Sequence, residues 1–201
     1  MGTVTGQYAL NFATEADENP WEDPGFTPKT AGTRRIESGV LLSSDQFWSE
    51  YSGGTYSGGD VTAKMELGGT SGGGNYARCG CLDENGDGYV FSAGDSSSNN
   101  CGILRYDNWA YAAIVELTTV GTLAAGSELT ITVTKGSPNT IVVTHNGSQI
   151  QNTTDSGASL SNVRAGLGTV GGGTPIRSFA VDGLASAAPS KSLGLLLRGC
   201  G

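Results

Sequence analysis

Two stretches of this chain alternate strictly between apolar and polar side chains: Val61, Ala63, Met65 and Leu67 within Asp60–Leu67, and Leu129, Ile131 and Val133 within Glu128–Thr134. A period of two is what a strand with one buried face demands, and a helix cannot gather such a pattern onto one side. Shorter runs of the same character surround them, at Tyr8–Phe12, Arg34–Leu42, Phe47–Tyr51, Asn75–Leu82, Gly88–Ala93, Cys101–Tyr106, Ala112–Leu117, Thr140–Thr144, Ser148–Asn152, Arg164–Gly168 and Arg177–Val181. Between them lie turn signals. Asp83–Gly88 contains Asn85-Gly86 and Asp87-Gly88, and His145-Asn146-Gly147 separates two further runs; such pairs readily supply positive φ. The 33 glycines and the charged fraction of 15% suit many short strands joined by turns, not a helical bundle. The expectation is an all-β, two-sheet antiparallel jelly-roll sandwich of roughly ten to twelve strands. It should occupy residues 1–184, with 185–201 a C-terminal linker and apolar tail.

The order of the pieces resembles the concanavalin A-like lectin/glucanase superfamily, especially its laminin-G-like modules of the bacterial and phage type. The resemblance is carried by Asn11-Phe12, Ile36–Val40, Asp60–Glu66, Gly86–Phe91, Leu104–Tyr106, Val163–Gly168 and Phe179–Gly183 in succession. It implies a double-sheet sandwich and leaves function to the site.

Chemistry is sparse. Retaining glycosidases of the superfamily carry two carboxylates on one strand at Glu-x-Asp-x-x-Glu spacing, which sets them about 5–5.5 Å apart. No strand here has that spacing; Glu15-Ala16-Asp17-Glu18 comes nearest, in a proline-flanked loop with Pro20 where the last Glu should stand. His145, the one histidine, sits at a hairpin turn and reads as water-exposed, which removes a multi-histidine zinc site and leaves a Ser-His-Asp hydrolase unsupported. No catalytic residue is assigned, and the chain is expected not to be an enzyme.

Two candidate sites remain. Asp83, Asn85 and Asp87 match the first half of a calcium loop, oxygen ligands at alternate positions before a turn-making glycine, but Gly94 stands where the bidentate Glu would fall. The same residues are equally the make-up of an Asp/Asn-rich hairpin turn. Laminin-G-like modules often hold calcium at a loop rim, so the resemblance keeps calcium as the one candidate cofactor. Tyr106, Asp107, Trp109 and Tyr111 cluster in sequence, and aromatic rings beside a carboxylate suit sugar recognition, by stacking on CH faces and bonding to hydroxyls. Packing into the core is the competing reading for one or two of them, as for Trp21 and Trp48. Cys79 and Cys81 share one strand face, with two outcomes open: a bridge to Cys101, or buried free thiols.

A net charge of −8 with no basic run gives no footprint for nucleic acid. No apolar run approaches the roughly 18–20 residues of a membrane span, and the first residues show no signal-peptide pattern. The tail ends in Leu195–Leu197, an apolar patch that needs a partner surface. Taken together these features lead to a non-catalytic adhesion or structural protein on a virion surface, such as a bacteriophage capsid-decoration or tail-associated protein, or in an extracellular setting. Its expected partners are other virion proteins or further copies through the tail, and a surface glycan. The alternatives are a freestanding carbohydrate-binding lectin and, third, a glycoside hydrolase using Glu116 or Asp107.

Overall fold

The computed structural model describes residues 6–12, 26–28, 34–43, 47–51, 59–70, 76–93, 102–118, 123–170 and 174–183. Among the described residues there are fifteen strands: β1 (Tyr8–Asn11), β2 (Phe26–Pro28), β3 (Arg34–Glu37), β4 (Val40–Ser43), β5 (Phe47–Tyr51), β6 (Asp60–Leu67), β7 (Tyr76–Leu82), β8 (Gly88–Ala93), β9 (Gly102–Asp107), β10 (Ala110–Leu117), β11 (Glu128–Thr134), β12 (Asn139–His145), β13 (Ser148–Asp155), β14 (Arg164–Val170) and β15 (Ile176–Asp182). They form two antiparallel sheets. One runs β13-β12-β11-β6-β15-β4-β3 with β1 added beside β15; the other runs β10-β9-β8-β7-β14-β5-β2.

The two alternating stretches become β6 and β11, neighbours in the first sheet in the register Leu129↔Met65, Ile131↔Ala63 and Val133↔Val61. Because opposed residues share a face, the apolar halves coincide and turn inward together. They meet Ala77, Cys79, Cys81, Tyr89, Phe91, Ile103, Ala165 and Leu167 from the second sheet, all buried in one core. Cys79 and Cys81 are free thiols within it. Burial pushes the Cys79 thiol up to about 12.

The strand count exceeds the expectation because tight turns divide runs that read as continuous. Ser38 and Gly39, with φ of 53° and 76°, break Arg34–Leu42 into the β3–β4 hairpin. Phe26–Pro28, at the end of a segment that reads as an acidic loop, pairs with β5. The Asn146-Gly147 turn joins β12 to β13 as the sequence implies, with φ of 50° and 76°. The boundary at residue 184 and the tail 185–201 lie outside the described residues, as do Glu15, Asp17, Glu18, Trp21, Gly94 and Cys101.

The two outward faces differ in chemistry. On the first sheet β6 and β11 present Thr62, Lys64, Thr130, Thr132 and Thr134; Thr62 and Thr132 hydrogen-bond at 2.9 Å, and Lys64 pairs with Asp182. That is a solvated polar ladder. The second sheet points Tyr76, Arg78, Leu82, Val90, Ser92, Leu104, Tyr106 and Trp48 outward, and so carries aromatic and apolar groups on the side away from the core.

Candidate functional site

Outward positions in the second sheet follow from register. Across β5, β14 and β7 the outward residues align as Trp48, Gly168 and Arg78 in one row and Glu50, Gly166 and Gly80 in the next. The three glycines leave a trough free of side chains, and the Trp48 indole crosses it to pack on Leu82 and Val90. Its Nε1 donates to Glu50 Oε1 at 3.2 Å. Tyr106 and Trp109 pack against this small outer cluster.

Trp109 lies in the two-residue β9–β10 turn, where Asn108 and Trp109 both have positive φ (50° and 65°). Its ring lies flat on Gly86 (φ 81°), so close that a Cβ there would fall on the indole. The Trp109 amide also donates to the Gly86 carbonyl at 3.2 Å. This tryptophan is a packing residue.

Beyond the cluster, towards β10, the face opens into a recess of about 230 Å³ lined by Tyr76, Arg78, Ser92, Leu104, Tyr111, Ile114 and Leu117. Tyr111 is 55% exposed and Ile114 49%, and the Tyr106 and Tyr111 rings meet edge to face with centroids 6.4 Å apart. The Arg78 guanidinium donates from Nη1 to the Tyr106 hydroxyl at 2.7 Å and from Nε to Ser92 Oγ at 3.4 Å. Burial lowers the Arg78 pKa, opposed by Tyr106 and Tyr76.

The four residues read as a sugar site therefore divide. Tyr106 and Tyr111 flank the recess. Trp109 buttresses the turn beside it. Asp107 is one residue from Tyr106 and so points to the other side of β9, where it pairs with Arg105 at 3.5 Å. Arg78, Tyr76, Leu104, Ile114 and Leu117 were not singled out from the sequence. Of these, Arg78 had a legible signal, since it alternates with Ala77 and Cys79 on a strand whose other side is buried.

The acidic turn is tied differently from a cation loop. Asp83 is fully buried; its Oδ1 accepts from the Asn85 amide at 2.8 Å and the Asp87 amide at 3.1 Å, and its Oδ2 from the Ser161 amide at 3.0 Å and hydroxyl at 2.9 Å. Four donors fill the roughly four lone-pair sites of a carboxylate, so Asp83 as placed offers nothing to calcium. Asp87 Oδ1 accepts from the Asn108 amide at 2.6 Å, which links this turn to the β9–β10 turn, and Asn85 is exposed. No cluster of three or more His, Cys, Asp or Glu placed to hold a metal occurs among the described residues. The acidic residues act here as a latch between turns.

His145 is not the water-exposed turn residue expected. It ends β12, and its Nε2 is buried without a hydrogen-bond partner among the described residues. Burial lowers its pKa.

No protein-family model matches the sequence, and no curated protein matches it. Solved structures do match in fold. The Emp47p carbohydrate recognition domain superposes with a TM-score of 0.62 at 9% identity, covering 91% of this chain and 98% of that one. The carbohydrate-binding module CBM66 from Bacillus subtilis gives 0.57 at 14% identity, covering 80% of this chain and 96% of that one. The Crh5 transglycosylase gives 0.60 at 11% identity, covering 90% and 85%. The fold is thus the concanavalin A-like sandwich.

Proposed function

We propose that this protein is a non-catalytic carbohydrate-binding domain of lectin type, and that the recess on the outward face of the β10-β9-β8-β7-β14-β5-β2 sheet is where it holds a sugar. The observation that carries the reading is the exposed Tyr111 ring beside Tyr106 and Arg78. A ring held at a recess offers a CH-stacking surface, and the hydroxyl and guanidinium groups around it supply the few polar contacts that orient a ligand. Two of the structural neighbours are named for carbohydrate recognition or binding. A third, the VIP36 exoplasmic/lumenal domain, was captured with Ca²⁺ and Man3GlcNAc (TM-score 0.53, 11% identity, 90% of each chain), which fits an extracellular or lumenal setting.

Catalysis is the weaker reading, although Crh5 is a transglycosylase. Glu50 is the one carboxylate at an outward position among the described strands of this sheet. Glycoside hydrolysis needs two carboxyl groups flanking the bond. Asp107 points away, and Glu116 is in register with the inward Ile103. The virion reading drew on the tail 185–201, which lies outside the described residues, and the glycan-binding alternative has the described face behind it.

A glycan array followed by calorimetric titration of the full chain tests the proposal. Tyr111→Ala is expected to weaken binding by about fivefold or more, the loss of a contact worth upwards of about 1 kcal/mol, without altering the unfolding midpoint. Absence of binding to any glycan, or full affinity in the Tyr111 variant, refutes it.

A further inference from the structure

We propose that the recess selects glycans bearing an anionic substituent, a carboxylate or a sulfate, and that the Arg78 guanidinium is the group that reads it. This deepens the glycan-binding reading and rests on it. Of the four other half-buried cations among the described residues, three sit against carboxylates and Arg164 does not. Arg105 is paired with both Asp107 and Asp155, Arg177 with Glu66, and Lys64 with Asp182. Arg78 has no carboxylate within ion-pair distance among the described residues; its partners are two neutral hydroxyls.

A guanidinium has five N–H donors in a rigid fork, and the described residues engage two of them. Taking a cation out of water without a counter-ion is costly, and the lowered pKa of Arg78 records that cost. The cost is retained at a place on this face where a recess opens, with Tyr76, Ser92 and Tyr111 around it. Arg78 is therefore set up to accept a negative partner from outside, as planar two-oxygen groups suit its fork.

A structural role for Arg78 is the competing account, since it holds the Tyr106 hydroxyl. That task needs one donor, and a neutral amide would serve it without the cost of burying charge. The net charge of −8 refines the ligand class. The protein as a whole repels polyanions, so recognition must be local, of one anionic group seated in the recess and not of a run of charges along a polymer.

The test uses the full chain and four probes sharing one neutral oligosaccharide core: the core capped by terminal glucose, the same core capped by terminal glucuronate, which differs from the first by the carboxylate alone, the glucose-capped form carrying one O-sulfate, and the bare core. Titration of the wild type should show a preference of about 10- to 100-fold for an acidic probe over the glucose-capped one, the range of a hydrogen bond to a charged group. Whichever of glucuronate and sulfate shows the gain names the anion. In Arg78→Gln the preference should fall to near unity, the acidic probe losing more affinity than the neutral one, and in Arg78→Lys it should fall part of the way. Should the Gln variant not fold, the wild-type comparison of glucose and glucuronate caps still decides. Equal affinity for neutral and acidic probes, or a preference that survives in Arg78→Gln, overturns the anion proposal and leaves glycan binding standing. No binding of any probe, together with no binding to any glycan on the array, overturns both.

Discussion

Replacing Asp83 with alanine is expected to destabilise the fold by about 3–5 kcal/mol. Its buried carboxylate accepts four hydrogen bonds of 2.8–3.1 Å from residues in two separate loops. Hydrogen bonds to charged groups contribute about 1.5–3 kcal/mol each. Their sum overshoots, because the four share one anchor and water can reach the exposed Asn85 and Ser161 once the acceptor is gone. Single substitutions seldom exceed about 4–5 kcal/mol. For a chain of this size 1 kcal/mol shifts Tm by about 2–4 °C, so the alanine variant should melt about 6–20 °C lower. Asp83→Asn should lose roughly half as much. Its carbonyl can keep the Asn85 and Asp87 amides, and the Ser161 hydroxyl can turn to accept, but the Ser161 amide is left facing another donor. The assay is urea and thermal unfolding followed by far-ultraviolet circular dichroism, with and without calcium. A loss below about 1 kcal/mol for the alanine variant would refute the latch. So would a calcium-induced rise in wild-type Tm that vanishes in the variant, since an ion held by Asp83 must stabilise by mass action.

Three further outcomes follow from the same geometry. Gly86→Ala should lower stability by more than about 1 kcal/mol, since it forces a residue with a Cβ into φ 81° and onto the Trp109 ring; a shift in tryptophan emission should accompany it, and unchanged emission would contradict the placement of the indole. Because His145 has a folded pKa below its ordinary 6.5, the unfolded chain takes the proton first as pH falls. Its contribution to stability is thus present above about pH 6.5 and lost as pH falls towards the folded pKa, and His145→Gln should flatten that part of the stability curve. Cys79 and Cys81, buried and with raised pKa values, should resist alkylation at pH 8 in the native protein and react in urea, as peptide mapping of those two positions would show.

Much of the fold was legible because period two is a local property: β6, β11, β12 and the Asn146-Gly147 hairpin follow from residues a few positions apart. The division at Ser38-Gly39 was not, since Ser is a poor advertisement for positive φ; the break between β9 and β10 was read, but not that it is a two-residue turn with Trp109 at positive φ. The recess proposed as the site was half legible. Tyr106 and Tyr111 stand out as aromatics, whereas placing Asp107 with them ignored the alternation that sends adjacent strand residues to opposite faces. The recess itself depends on two non-local facts. One is the register that sets Arg78 opposite Ser92, and the other is the pair of irregularities in β10, between Tyr111 and Ala113 and between Ile114 and Glu116. Those shifts bring Tyr111, Ile114 and Leu117, three apart in sequence, to one face; an unbroken strand would have shown Tyr111, Ala113, Val115 and Leu117 there instead.

The bulges also explain how a face so apolar is compatible with an ordered sandwich. A flat edge strand displaying Tyr111, Ile114 and Leu117 invites pairing with another chain, and local twist from bulges is one of the ways such an edge is made unsuitable. Behind it the β9–β10 turn is fixed from outside the strand: Asp87 holds the Asn108 amide and Gly86 seats the Trp109 ring. Asp83 in turn holds the Asp87 amide and Ser161. In the proposed site, rigidity at the two residues either side of this turn, Tyr106 before it and Tyr111 after it, would let a ring bind without a large entropic loss on complex formation. The acidic hairpin and the aromatic pair, which the sequence presents as two separate candidate sites, are on this account one device, with the carboxylates setting the turn and the turn aiming the rings.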